Sequence, residues 1–196
     1  SDWSSASYWY SIIALSETGS SIKLSAYKND SLQGDSCLAE IYQHFGVSTK
    51  FNKNTITLTK IKATELSTLT LNLKNAPDIA QTIAVTSFGL GIACDLSGLH
   101  TLKIKETDRL EALKEELTKL GANINVTNET LHLESASEIN QNIAIDTYND
   151  HRMAMAFAPL AIKVPIQIND AEVVTKSYRS FWEDLQQIGF ELTELK

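Results

Sequence analysis

Two stretches of the chain place proton-carrying acids among fixed cations: Lys105-Glu106-Thr107-Asp108-Arg109 and, further along, Asp150-His151-Arg152. Each stands at the start of an apolar helical run. Backbone N–H groups at a helix start favour anions, and arginine there adds a bidentate clamp for carboxylate or phosphate. Glu106 is the kind of group that can carry a proton beside a bound anion. The pattern predicts a small anionic ligand. Asp78, behind Pro77, and Lys176, before Ser177, stand at comparable helix starts.

The elements that must position these groups are legible as an internal repeat. Leu38, Tyr42, Phe45, Gly46, Phe51, Thr55, Ile56 and Leu58 match Leu113, Leu117, Leu120, Gly121, Val126, Thr130, Leu131 and Leu133 at one constant offset. Phe181, Leu185, Ile188 and Gly189 repeat the first four positions near the end of the chain. Each full copy reads as an amphipathic helix with apolar residues at i, i+4 and i+7, a glycine stop, and a hairpin. The hairpin turns are expected at Asn52-Lys53-Asn54 and Thr127-Asn128-Glu129. A second helix, apolar on most sides and therefore buried, is predicted upstream of each copy, over 4–16, 78–90 and 150–162. Strands are expected over 21–26 and 166–168.

The predicted fold is α/β (α+β): three repeated helix–strand–helix–hairpin units, with buried helices at the centre and sheets outside. The third unit lacks its hairpin. No linker or low-complexity stretch divides the chain, so residues 1–196 are expected to form a single domain. Because the chain opens at Ser1-Asp2-Trp3 and runs at once into a helix, we expect a piece of a longer protein.

Composition narrows the function. A formal net charge of −7 over 196 residues disfavours nucleic acid and anionic membrane surfaces as partners. No apolar run approaches the roughly 20 residues that a membrane-spanning helix needs. Cys37 and Cys94 have no metal-ligand spacing, which points to a reduced, cytoplasmic setting without a structural metal.

Taken singly, the polar helix starts have plain readings. Asp78 fits an N-cap, as do Asp2, Ser4 and Ser5. Glu106 and Arg109, at i and i+3, could pair on a solvated surface, and Asp108 could cap or pair. His151 could be a structural histidine, and Lys176 a surface lysine. His44, His100 and His132 have no partners in sequence. Jointly, acids and cations at equivalent repeat positions are hard to assign to chance. If the copies are arranged alike, the starts of the buried helices (Asp2, Ser4 and Ser5; Asp78; Asp150, His151 and Arg152) and of the amphipathic ones (Gln33, Gly34 and Asp35; Lys105, Glu106 and Arg109; Lys176 and Ser177) gather on one face.

At these residues the chain resembles the C-terminal domain of the 5-enolpyruvylshikimate-3-phosphate synthase family. The resemblance is carried by Asp2-Trp3-Ser4-Ser5-Ala6-Ser7-Tyr8, Gln33-Gly34-Asp35, Ala76-Pro77-Asp78 with Thr82-Ile83-Ala84, Lys105 to Leu110, Lys119-Leu120-Gly121-Ala122, and Tyr148 to Met155. Thr175-Lys176-Ser177-Tyr178 is a weaker match. The likeness covers essentially the whole chain and implies an enolpyruvyl-transferase domain, with an N-terminal domain of the same enzyme as partner.

What the resemblance implies is transfer of the enolpyruvyl group of phosphoenolpyruvate to the 5-hydroxyl of shikimate 3-phosphate, with release of phosphate and with no metal or organic cofactor. Asp78 would be the base at the hydroxyl, with Lys105 bonding the same region. Glu106 would give and later remove the methylene proton. Arg109 and Arg152 would hold the phosphoenolpyruvate carboxylate with His151 beside them, and Lys176 would meet its phosphate. Thr101 stands where many family members have an asparagine that contacts shikimate 3-phosphate; it is shorter and lacks the amide donors. The sister family that acts on UDP-N-acetylglucosamine is implied less well, because it lacks the Lys105–Arg109 and Asp150–Arg152 pair. A different class, a structural half that binds anions without activity, remains as the other expectation.

Overall fold

Sequence periodicity requires the most apolar helices to be shielded on all sides, and the computed structural model, which describes residues 2–27 and 34–195, places them at the centre. Helix α1 (Trp3–Leu15) is buried at every position but Ser5. Helix α3 (Ala80–Gly89) is buried from Ala80 to Phe88, and α5 (His151–Phe157) from Met153 onward. Gly89 of α3 leaves room for tight packing against α1 and the segment after α5: a Cβ there would lie 2.7 Å from Leu15 and 3.0 Å from Leu160.

Buried hydroxyls register α1 against α3. Ser7 Oγ and Thr82 Oγ1 are 3.0 Å apart, Thr86 Oγ1 donates to Ser11 Oγ at 2.8 Å, and the Tyr42 hydroxyl lies 2.9 Å from Thr86. A hydroxyl in an apolar interior is costly unless bonded, so each residue satisfies the other.

Around the helices, the described residues form three sheets. Strands β1 (Ser21–Ser25), β2 (Val47–Asn52) and β3 (Thr55–Lys60) form an antiparallel sheet in the order β1-β3-β2. Strands β4 (Thr68–Asn72), β5 (Ala93–Ser97), β6 (Ile124–Val126) and β7 (Leu131–Leu133) form a second sheet in the order β4-β5-β7-β6. Strands β8 (Ile143–Ile145) and β9 (Ile166–Ile168) pair in parallel. The hairpins β2–β3 and β6–β7 fall at the turns expected from sequence.

Helices α2 (Leu38–Ile41), α4 (Arg109–Lys119) and α6 (Phe181–Gln187) are the amphipathic ones. The glycines after these segments, Gly46, Gly121 and Gly189, have φ of 79°, 101° and 105°. That is the left-handed stop required where a helix turns into a strand or loop.

Several expectations are corrected. Strands β4 and β8 precede α3 and α5 and pair in parallel with β5 and β9, so these two helices are crossovers between parallel strands. The expected unit omitted that strand because Leu69 and Leu71 alternate only briefly and β8 has three residues. Helix α2 is one turn of four residues, continued to Gly46 by i→i+3 bonds. Helix α5 ends at Phe157, where Pro159 removes a donor, and runs on as a 3₁₀ turn over Ala158–Ile162. Helix α3 begins at Ala80 after a 3₁₀ turn, Pro77–Ile79. Among the described residues no helix is long and apolar enough to cross a membrane.

Candidate active site

Asp78 lies in the 3₁₀ turn that Pro77 starts, and its side chain caps nothing. The N-cap expectation for Asp78 is therefore replaced: the carboxylate points to cations from two other segments. Oδ1 meets Lys105 Nζ at 3.3 Å and an Arg109 guanidinium nitrogen at 3.2 Å, and Oδ2 meets Arg152 at 3.2 Å.

Arg109 is the first residue of α4. Asp108 precedes it as N-cap, accepting from Leu110 and Glu111 N–H at 3.2 Å and pairing with Lys103 at 3.1 Å. Lys105 and Glu106 thus lie before the helix, in the loop between a 3₁₀ turn ending at Ile104 and the Asp108 cap, rather than in its first turn. The extended backbone of Asp108, whose oxygen substitutes for the missing helical acceptors, stops the helix from reaching back to them.

Arg109 is 1% exposed and grips three carboxylates. Nε donates to Asp150 Oδ2 at 2.6 Å, one terminal nitrogen donates to Asp78 at 3.2 Å, and the other to Glu106 at 2.6 Å and Asp150 at 3.4 Å. Asp150 is fully buried and also caps α5, accepting from Arg152 N–H at 2.8 Å. One arginine from the second repeat and one aspartate from the third thereby lock two helix starts together. Neither group could be buried alone, and together they satisfy each other.

Burial opposes ionisation of Glu106, but its own backbone N–H and the charges of Arg109, His151 and Arg152 outweigh it. They hold the carboxyl below its ordinary range. Burial pushes the His151 imidazole down, against the raising effect of Asp150, and its Nδ1 is buried with no hydrogen-bond partner. Burial also opposes the charge of Arg152, but Tyr8, Asp78, Asp2 and Asp35 reverse this and raise it.

Lys176 ends a 3₁₀ turn (Ala171–Lys176) and lies outside α6, which corrects its expected place at a helix start. Its ammonium donates to the backbone carbonyl and to Oδ1 of Asn149, both at 2.7 Å. Thr101 sits in the 3₁₀ turn His100–Ile104 with its hydroxyl buried and unbonded. Lys105 and Glu106 are exposed, Arg152 is half-buried, and Asp78 keeps 27% of its side chain open.

The expected convergence of helix starts is present for Asp78, Lys105, Glu106, Arg109, Asp150 and Arg152. Asp2, at the first repeat's start, caps α1 through Ser4 N–H at 3.1 Å and accepts from Ser5 Oγ at 2.8 Å. Ser4 Oγ donates to the buried Asp35. Burial raises the Asp35 carboxyl, with Asp78 adding to this and Ser4 opposing it. Gln33 lies outside the described residues.

Sequence reasoning did not single out three contributors. Asp150 as the anchor of Arg109 is one, and its motif position at a helix start was the available signal. Glu116 is another; it lies seven residues after Arg109 on the inward face of α4, where a charge breaks the polar-outside pattern. The third is the turn Tyr148-Asn149, with φ of 53° and 57° in succession. Asparagine tolerates that conformation, but a tyrosine there is an outlier of about 1–3 kcal/mol with no sequence signature.

Residues 1–185 match the family model for EPSP synthase (3-phosphoshikimate 1-carboxyvinyltransferase). A 3-phosphoshikimate 1-carboxyvinyltransferase of Bacteroides fragilis is 45% identical over 193 residues, which is 97% of this chain and 47% of that protein. One from Methanospirillum hungatei is 35% identical over 188 residues, 95% of this chain and 43% of that protein. The solved EPSP synthase of Acinetobacter baumannii shares the fold, with a TM-score of 0.76 at 19% identity, over 97% of this chain and 47% of that one. The chain spans about half the length of the curated relatives it matches. On the matched residues and the shared fold together, the chain belongs to the EPSP synthase family.

Proposed function

We propose that residues 1–196 form one domain of a cytoplasmic enzyme. It moves the enolpyruvyl group of phosphoenolpyruvate to the 5-hydroxyl of shikimate 3-phosphate and releases phosphate. The N-terminal domain of the same protein supplies the rest of the site. The reading rests above all on Asp78, whose carboxylate is met by Lys105, Arg109 and Arg152, with Glu106 on the same arginine.

The ion pairs suggest how the groups change partners. Without substrate, the cations are engaged by the protein's own carboxylates. An incoming phosphoenolpyruvate carboxylate competes for Arg109 and Arg152, with His151 beside them, and frees Asp78. Asp78 then takes the proton of the 5-hydroxyl as its oxygen attacks C2 of phosphoenolpyruvate, with Lys105 bonding the same oxygen.

The added negative charge also lifts Glu106 from its depressed state toward protonation, so that it can give a proton to the methylene carbon. In the second half Glu106 takes a proton back from the new methyl group. The C2–O bond to phosphate breaks, and phosphate leaves toward Lys176. Thr101, lacking amide donors, contributes at most its hydroxyl to shikimate 3-phosphate. These steps call on no cofactor.

The test is phosphate release by the full-length protein given both substrates, with the isolated chain as control. Release by the full-length protein only, dependent on shikimate 3-phosphate, is the expected result. Release by the isolated chain, or release indifferent to shikimate 3-phosphate, would overturn the reading. Domain closure that completes the site is the physical reason for expecting the chain alone to be inactive.

A further inference from the structure

At the far end of α4 lies a second polar cluster that the proposed reaction does not use. Glu116 is fully buried, yet both its oxygens are satisfied. Oε1 accepts from the Tyr148 hydroxyl at 2.7 Å and Oε2 from the Asp146 backbone N–H at 3.1 Å. Lys119 Nζ bonds both oxygens, at 2.9 and 2.8 Å, and also Asp146 at 2.8 Å. Asp146 in turn accepts from Asn169 at 2.7 Å. The Tyr148 hydroxyl is also 2.6 Å from Glu115.

What this cluster holds is the unusual part. Tyr148 and Asn149 are both left-handed, a conformation a tyrosine leaves unless something fixes it. The residues that follow are Asp150, His151 and Arg152. Asn149 supplies both acceptors for the Lys176 ammonium, and Asp150 supplies the buried carboxylate for Arg109. Helix α4 thus grips one short segment at two points, through Arg109 on Asp150 and through Glu116 on Tyr148. Neither Glu116 nor the Tyr148 hydroxyl bonds any group of the Asp78 cluster.

We infer that Glu116, acting through the Tyr148 hydroxyl, is a positioning residue that sets the Asn149–Arg152 turn, and with it Arg152 and Lys176, for the phosphoenolpyruvate anion. The inference rests on the proposed function for the name of that anion. Asp78 and Lys105, which face the other substrate, are carried by different segments; Lys105 has no bond to the turn, and Asp78 meets it only through Arg152 on one oxygen while Lys105 and Arg109 hold the other. Loosening the turn therefore weakens one substrate and spares the other. A cluster that only tightened the fold would lower the folded fraction and leave both Michaelis constants unchanged.

The experiment uses the full-length protein with Tyr148→Phe and, separately, Glu116→Gln. Tyr148→Phe keeps the ring and removes only the donor, so it decides the matter if Glu116→Gln fails to fold. The expected result is a rise of about tenfold in KM for phosphoenolpyruvate, with KM for shikimate 3-phosphate within about twofold of wild type. The His151 ring resonance is expected to shift in Tyr148→Phe while those of His44, His100 and His132 stay in place. Equal rises in both KM values, an unchanged KM for phosphoenolpyruvate, or an unmoved His151 resonance overturns the inference. A wild-type protein that releases no phosphate sinks the functional reading instead, and the His151 resonance still decides the role of Glu116.

Discussion

The first repeat and the two that follow begin alike and end up chemically different. Asp2 and Asp150 each cap a central helix through the N–H two residues on, and both helices are buried behind the cap. Beyond that the likeness stops. In the first repeat a hydroxyl, Ser4, answers the buried carboxyl of Asp35. In the second and third, Arg109 answers Asp150 and also holds Glu106, and the surplus carboxylate Asp78 collects two further cations, Lys105 and Arg152. The repeat therefore dictates where polar groups converge but not what they can do. A hydroxyl on a carboxyl satisfies the interior, whereas a set with several cations and surplus acids can exchange partners with an anion.

Substitutions at the two kinds of start should separate them. The largest effect is expected for Glu106→Gln in the full-length protein, with kcat falling by about 10²- to 10⁴-fold, as for loss of a general acid–base group. Thermal unfolding of the same variant should barely move, because the side chain is 40% exposed. Turnover close to wild type would place Glu106 with the structural pairs of the first repeat.

Next in size is Arg109→Ala, which strands Asp150 in the interior. A loss of about 3–5 kcal/mol in urea unfolding is expected, in line with breaking one half of a buried ion pair. Ser4→Ala should cost less, about 1–3 kcal/mol, for an unanswered buried acceptor, and should leave kcat within about twofold. A large loss of kcat in Ser4→Ala would dissolve the contrast between the repeats.

The smallest effect is one of pH. His151 has its folded-state pKa pushed below the ordinary 6.5, so the unfolded chain binds the proton more readily. Stability from this group is complete above about 6.5 and declines as pH falls from there through the lower folded value. His151→Gln should flatten that decline, and an identical pH profile in the variant would remove the histidine from the account.

Much of this contrast was legible beforehand, for reasons that differ by residue. Arg109 and Arg152 were visible because their motifs sit at the starts of apolar runs, and the apolar spacing at 113, 117 and 120 fixed which face of α4 turns inward. The motif at Lys105–Arg109 places the start of α4 a full turn too early, although Asp108 followed by Glu111 at its third helical position is a capping signal for the observed start at Arg109. The pairing of Arg109 with Glu106 is local and readable, but its burial against Asp78 and Asp150 could not be read, since only tertiary packing brings residues 78 and 150 within 3.2 Å. The strands β4 and β8 escaped because short strands carry too few alternations to exceed loop background. The left-handed Tyr148 escaped because side-chain anchoring, not local propensity, holds it.

The hydroxyl contacts between the central helices limit how this domain can change shape. Sliding α1 along α3 by one residue is a displacement of about 1.5 Å. It would part Ser7 from Thr82 and Ser11 from Thr86 where no water can take their place. Shear between these two helices is thereby blocked, and since Tyr42 joins the same chain through Thr86, the first amphipathic segment is carried along with them. The scaffold behind Asp78 therefore moves as one stiff unit of α1, α3 and the first amphipathic segment, so that an anion at the site is met by side-chain rotamers rather than by sliding helices.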